Sequence, residues 1–215
     1  MKLVIINYGS GNLRSVAKAF ERAGLDSGWD GQVIVSDDPA TVRSADYIVL
    51  PGVGAFGDCA RGLQAVAGMR DALTSSVRER MRPFLGICVG MQLMADRGLE
   101  HGAHQGLGWI SGEVRAMTPG NPGMKIPHMG WNTLALQPSG AAHPVLAGMD
   151  AGDCYFLHSY QFIASNPGDI LAITGYGGPV TAAIGRDNML GVQFHPEKSQ
   201  SLGLQLLANF LRWKP

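Results

Sequence analysis

Two stretches far apart in the chain carry residue types that make and break acyl bonds. In PFLGICVGMQ a cysteine, Cys88, has Gly86 two residues before it and Gly90 two residues after. A strand that turns sharply into a helix strains its corner residue, and small flanking residues let the two elements approach closely enough to present that side chain outward. The helix N-terminus then favours thiolate over thiol, as a nucleophile requires. The plainer alternative is a packed apolar thiol, a common fate of a free cysteine. In GVQFHPEKS a β-rich run ends at His195, Pro196 stops the ladder, and Glu197 follows two positions later. At that spacing a carboxylate can hold the imidazole in one tautomer while the other ring nitrogen faces a thiol. His158 in FLHSY is a rival base, whereas His101, His104, His128 and His143 lack a carboxylate at this spacing.

A third stretch, LPGVGAFGD, offers Gly52, Gly54 and Gly57 after an apolar run. Its unobstructed backbone N–H groups can join that of Val89 in meeting oxyanion charge, or the loop is only a tight turn. NYGSGNLRS has glycines that could cradle phosphate. It lacks the third glycine and later acidic residue of a dinucleotide site, so it reads better as a turn opening a helix with Asn12 at its cap. With no H-E-x-x-H and no clustered Cys/His set, neither a metal nor a cofactor is expected.

The elements that must position these residues follow from periodicity. LVIINYG, QVIVS and YIVLPG are short β-branched runs, and NLRSVAKAFERAG between the first two has helical apolar spacing. A helical stretch from roughly Cys59 to Met81, the run PFLGIC and a helix VGMQLMADRG capped by Gly98 continue the alternation. The expected fold class is α/β, a mostly parallel central sheet flanked by helices, with ligands beyond the carboxyl ends of the strands. Past Gly102 the strands GWISGEVRAM, NTLAL, CYFLHSYQF, ILAITGY and TAAIGRDNMLGVQF are broken by Gly and Pro and predict a more antiparallel second half. GRDNML reads as a hairpin turning at Asp187 and Asn188, and SLGLQLLANFLRW as a helix packed back on the sheet. The loops MTPGNPGMKIPHMGWN and ALQPSGAAHPVLAGMDAGD are the expected mobile or partner-facing regions.

At 215 residues one domain spanning residues 1–215 is expected, burying about 70% of the unfolded surface. Lys and Arg total 17, as do Asp and Glu, so net charge predicts neither a nucleic acid nor an anionic membrane as partner. The cysteines Cys59, Cys88 and Cys154 are odd in number and widely spaced, which fits reduced thiols in a cytosol. MKLVIINYG is too short an apolar run for a leader, and no stretch reaches the length of a membrane span. A cytoplasmic protein is the expectation.

Taken together, the LPGVG loop, the GICVGMQ elbow and the late HPE resemble the class I (triad) glutamine amidotransferases, whose fold is flavodoxin-like. PGVGAF with GMQ, KIPHMGWN, and YFLHSY followed by HPEKS narrow the resemblance to the glutaminase subunits of imidazole glycerol phosphate synthases, and it covers nearly the whole chain. Val89 stands where that family usually has Leu, and DSGWDGQ lengthens the segment before the second strand. The resemblance implies Cys88 as nucleophile, His195 as general base and acid, and Glu197 as the group orienting His195. It implies Gly52, Val53, Val89, Gln92, Ser159 and Tyr160 around the oxyanion and the glutamine substrate. The partner it implies is a (βα)8-barrel cyclase in a heterodimer, supplied with ammonia to make imidazole glycerol phosphate and aminoimidazole carboxamide ribotide in histidine biosynthesis. Lys125, Met129, Trp131, Asn132, Tyr155 and Lys198 fall at the family's contact positions, although Trp131 could equally be core. In that family the oxyanion donors align only when the partner's site is filled, so an idle lone chain is expected. The alternatives are a glutaminase serving anthranilate or pyridoxal phosphate synthesis, and a non-catalytic redox-sensing thiol domain.

Overall fold

The computed structural model describes residues 1–118, 120 and 123–215. Pro119, Asn121 and Pro122, part of the stretch MTPGNPGMKIPHMGWN expected to be a mobile or partner-facing loop, lie outside the described residues; from His128 on, that stretch is strand rather than loop, because it pairs with a later strand. Aliphatic and β-branched runs form β1 (Lys2–Ile6), β2 (Gln32–Ser36), β3 (Tyr47–Gly52) and β4 (Phe84–Cys88). Two short strands follow, β5 (Arg97–Gly98) and β6 (His104–Gln105), then β7 (Gly112–Ala116), β8 (His128–Thr133) and β9 (Ala135–Leu136). The chain ends its strands with β10 (Asp153–His158), β11 (Tyr160–Ala164), β12 (Ile170–Gly175), β13 (Pro179–Arg186) and β14 (Met189–Val192).

The main sheet has 8 strands in the order β2-β1-β3-β4-β14-β13-β12-β9. Its pairs from β2 through β14 are parallel, and those from β14 to β9 are antiparallel. The central strands β3 and β4 are buried along their whole length, as a parallel sheet covered on both faces requires. The expected α/β class and antiparallel second half are therefore both found. Helix Leu13–Ser27 packs against helix Gln200–Arg212, the latter formed by SLGLQLLANFLRW as its spacing predicts. Phe20 and Phe210 meet edge to face at 6.1 Å between them. The turn between β13 and β14 falls at Asp187 and Asn188, with Arg186 paired to Met189 and Asp187 at φ 54°.

Several local expectations are corrected. The helix expected from Cys59 to Met81 is broken. It runs Phe56–Ala65, stops where Val66 becomes extended and Gly68 takes φ 77°, resumes at Met69–Leu73 and widens into π-turns at Thr74–Glu79. Gly57 belongs to the first of these helices, where a Cβ would lie 2.7 Å from His104, so it is no part of a donor loop. The helix beginning at Val89 ends at Gln92, because Leu107, Trp109 and Gly108 donate N–H groups to the carbonyls of Leu93, Met94 and Ala95. Gly98 is not its cap. It lies in β5, where a Cβ would come 2.4 Å from the Phe56 ring. Asn12 occupies the cap position before Leu13, but its side chain makes no cap hydrogen bond. CYFLHSYQF is two strands parted at Ser159, β10 pairing with β8 and β11 with β7 in a separate sheet.

Candidate active site

Cys88 ends β4 and precedes the helix Val89–Gln92 with φ 53° and ψ −112°. For a residue with a Cβ this is strained backbone, costing of order 1–3 kcal/mol. Tight packing enforces it. A Cβ on Gly90 would fall 1.7 Å from the Leu50 carbonyl oxygen, and one on Gly86 would fall 2.7 Å from that of Gly90. Gly52 is the register partner of Cys88 across β3 and β4, and its own Cβ would meet the Tyr8 hydroxyl at 2.7 Å. Strand and helix thus touch backbone to backbone, and the thiol is the side chain left at the sheet's carboxyl rim.

His195 follows β14, the strand beside β4. Its Nδ1–H donates to Glu197 Oε1 at 2.8 Å, with both side chains almost wholly buried. The other carboxylate oxygen, Oε2, is buried without a hydrogen-bond partner among the described residues, which concentrates the carboxylate's interaction on the imidazole. Burial alone would push His195 down, but hydrogen bonds with Cys88 and Glu197 and their charge outweigh it and hold the imidazole well above its ordinary value. An imidazolium beside a sulfur stabilises the thiolate form. The rival base is excluded by its hydrogen bonds. His158 Nδ1–H donates to the Tyr160 carbonyl at 2.9 Å, so its Nε2 accepts from His128 Nδ1–H at 3.0 Å, and His128 Nε2 in turn accepts from Asn132 Nδ2 at 3.1 Å. Burial lowers both histidines to about 4, so this chain is neutral and fully engaged near pH 7.

Cys88 and His195 line one cavity of about 130 Å³ with Val53, Gly54, Val89, Gln92, Glu100, Leu157, His158, Tyr160 and Lys198. Cys88 Sγ lies 3.7 Å from Gln193 Nε2 and 4.0 Å from the Leu157 carbonyl. Of the residues expected around substrate, Val53, Val89, Gln92 and Tyr160 reach the cavity, while Gly52 sits beneath it in the sheet. Ser159 is not among the lining residues, and its carbonyl accepts the Met117 N–H at 2.9 Å. Gln92 donates both hydrogens of its amide inward, to the Tyr160 carbonyl at 3.1 Å and Gln193 Oε1 at 3.0 Å, which leaves only its carbonyl for a ligand. The Val53 N–H, one of the expected oxyanion donors, points to Ser10 Oγ at 3.0 Å, and that hydroxyl donates to the Val53 carbonyl at 2.7 Å. Glu100 was not foreseen. Its Oε2 accepts the Phe56 N–H at 2.7 Å and places a carboxylate on the cavity wall; no spacing in the sequence marks it.

Beside the cavity mouth the β8–β10 pair sets Trp131 opposite Tyr155 and Met129 opposite Leu157. Met129 is 65% exposed and Trp131 49%, so Trp131 is not core. Trp131 meets the Tyr155 ring edge-on at 5.9 Å, and Lys198 Nζ stands 5.6 Å from that ring. Lys125 is exposed and its carbonyl accepts the Tyr176 hydroxyl at 2.6 Å. Asn132, half-buried, joins this face to the histidine chain. Cys59 and Cys154 are buried, which raises the Cys59 thiol and pushes that of Cys154 up to about 12. Among the described residues no group of three His, Cys, Asp or Glu converges as metal ligands would, and no helix is long and apolar enough to cross a membrane.

A thiol on a strained strand-to-helix corner, beside a carboxylate-held imidazole at the rim of a parallel sheet, is an arrangement able to form acyl-sulfur bonds. Residues 4–213 match the family described as Glutamine amidotransferase class-I, and the chain belongs to that family. It is 58% identical over 219 residues to the imidazole glycerol phosphate synthase subunit HisH of Brucella suis biovar 1. It is 56% identical over 216 residues to the protein of the same name from Rhodospirillum rubrum, and both alignments cover all of both chains. A solved glutamine amidotransferase superposes with a TM-score of 0.71 at 18% identity over 97% of each chain. A glutamine amidotransferase from Thermotoga maritima gives 0.63 at 14% identity, covering 92% of this chain and 76% of that one. At such identities these structures speak to the fold alone.

Proposed function

We propose that this chain is the glutaminase subunit of an imidazole glycerol phosphate synthase, a single cytoplasmic domain working as a heterodimer with a (βα)8-barrel cyclase. The observation that carries the chemistry is the convergence of Cys88 and His195 on one small cavity, with Glu197 holding the imidazole from behind. The Cys88 thiolate adds to the carboxamide carbon of glutamine, and the resulting oxyanion is met by backbone N–H groups at Val89 and the Val53 loop. His195, held in one tautomer by Glu197, gives its proton to the leaving nitrogen, and ammonia departs from a glutamyl thioester. Water activated by the same imidazole forms the new carbon–oxygen bond, breaks the carbon–sulfur bond and releases glutamate. Glu100 on the cavity wall and Lys198 at its rim suit the ammonium and carboxylate of an amino acid. The face formed by exposed Met129 and Trp131 with half-buried Asn132 and Tyr155, flanked by Lys125 and Lys198, is assigned to the cyclase; aromatic and Met residues suit such a surface.

The Val53 N–H bound to Ser10 supports a resting state in which the oxyanion site is incomplete. Gly54, at φ 93°, has open space around its Cβ position and allows the adjoining peptide to turn. Glutamate release by the lone chain is therefore expected to be far slower than with cyclase and its ribotide substrate present, and a glutamine-like electrophile should label Cys88 alone. Equal rates would refute the resting state. Label on Cys59 or Cys154, or activation only by an anthranilate synthase, would overturn the assignment.

A further inference from the structure

We infer that Gln193 is a further catalytic residue, its side-chain amide locked so that an N–H faces the Cys88 sulfur and favours the thiolate; the inference rests on Cys88 being the nucleophile. Gln193 follows β14 in the chain and is fully buried. Its amide lies between Gln92 and Cys88, and which end faces the sulfur follows from the partners. The Tyr160 carbonyl can only accept, so the Gln92 group 3.1 Å from it is the NH2. The second hydrogen of that NH2 points to Gln193 at 3.0 Å, which makes the receiving atom Oε1. The remaining end, the Gln193 NH2, is then the one 3.7 Å from Sγ. Turning the amide over would set two NH2 groups against each other and a carbonyl against the sulfur, so a backbone carbonyl fixes the polarity of the whole chain.

The other polar neighbours of the sulfur make this donor matter. The Leu157 carbonyl at 4.0 Å accepts from a neutral thiol and opposes a thiolate. Among titratable groups of the described residues, His195 bonds the sulfur, Tyr8 and Cys59 lie within its electrostatic reach, and Glu100, His158, Tyr160 and Lys198 share the cavity. Of these only the imidazolium of His195 both bonds the sulfur and favours its anion. Gln193 supplies a second, uncharged donor from a site water does not reach, where a hydrogen bond to an ion is at its strongest. The donor acts twice in the proposed cycle, first on the attacking thiolate and again when the thioester's carbon–sulfur bond breaks and the electron pair returns to sulfur. No proton leaves the amide in either step.

The test uses the full chain and iodoacetamide, with alkylation of each cysteine followed by mass spectrometry across pH, and thermal unfolding alongside. Gln193→Met keeps the length and removes the donor. Gln193→Glu keeps an acceptor for Gln92 but turns an oxygen toward the sulfur. Gln92→Met frees the Gln193 amide from the other side. In each variant the midpoint of Cys88 alkylation is expected to rise by about one pH unit, most in Gln193→Glu, while the rate on the high-pH plateau stays within about twofold. A purely structural glutamine would lower the unfolding temperature and leave the midpoint in place, and that result in any variant that unfolds cooperatively overturns the inference. Alkylation of Cys59 or Cys154 in preference to Cys88 in the unaltered chain would instead overturn the nucleophile assignment itself.

Discussion

Ser10 closes a hydrogen-bonded ring with a single peptide, taking the Val53 N–H and giving its own proton to the Val53 carbonyl. A neutral hydrogen bond of this kind is worth about 1 kcal/mol. Ser10→Ala should therefore release the peptide and raise glutamate formation by the lone chain roughly five- to tenfold, measured at saturating glutamine without cyclase. An unchanged basal rate would show that the clasp does not hold the resting state. Residues of this kind divide by how local their reasons are. The Gly86, Cys88, Gly90 spacing was legible because the elbow is built from neighbours in sequence, and His195 with Glu197 for the same reason. Glu100 and Gln193 were not, since each gains its role from atoms far along the chain: the Phe56 N–H at separation 44 and the Cys88 sulfur at separation 105. Gln92 was half legible. Its place in the cavity followed from the motif, but the commitment of its NH2 to Tyr160 and Gln193 depends on strands that close only in the folded chain.

At the scale of elements, the elbow works because β3 and the helix after β4 approach without side chains between them. Gly90→Ala would place a methyl 1.7 Å from the Leu50 carbonyl oxygen, which no rotamer can relieve. The expected outcome is a loss of about 1–3 kcal/mol of stability in denaturant unfolding, together with a displaced sulfur and reduced electrophile labelling. Retained stability and labelling would mean that the helix can shift aside. The buried parallel strands were well read, since such a strand shows as a continuous hydrophobic stretch, whereas β5, β6 and β8 carry no apolar run and were missed, β8 lying largely in a stretch expected to be loop. Helix ends were read poorly. The helix after Cys88 should have continued by its apolar spacing, yet its later carbonyls are claimed by the Leu107–Trp109 segment, a competition invisible to local propensity. Gly98 was misread for a related reason. Glycine serves equally at a helix end and under an aromatic ring, and only packing against Phe56 distinguishes the two.

For the molecule as a whole, the cavity and the exposed aromatic face are continuous. Leu157 lines the cavity and is also 37% exposed on the outer face, cross-paired with Met129. Trp131 protrudes beside it, and a half-exposed tryptophan at the centre of an interface typically carries about 2 kcal/mol or more of binding. Trp131→Ala should weaken the complex with the cyclase about 30-fold or more, read by titration calorimetry, with little change in the unfolding temperature of the chain itself. Unchanged affinity would move the docking surface elsewhere. Since one leucine belongs to both surfaces, whatever seats on the outside also becomes a wall of the chamber where nitrogen is set free. Nitrogen recovered per glutamine consumed then depends on how snugly that leucine is roofed.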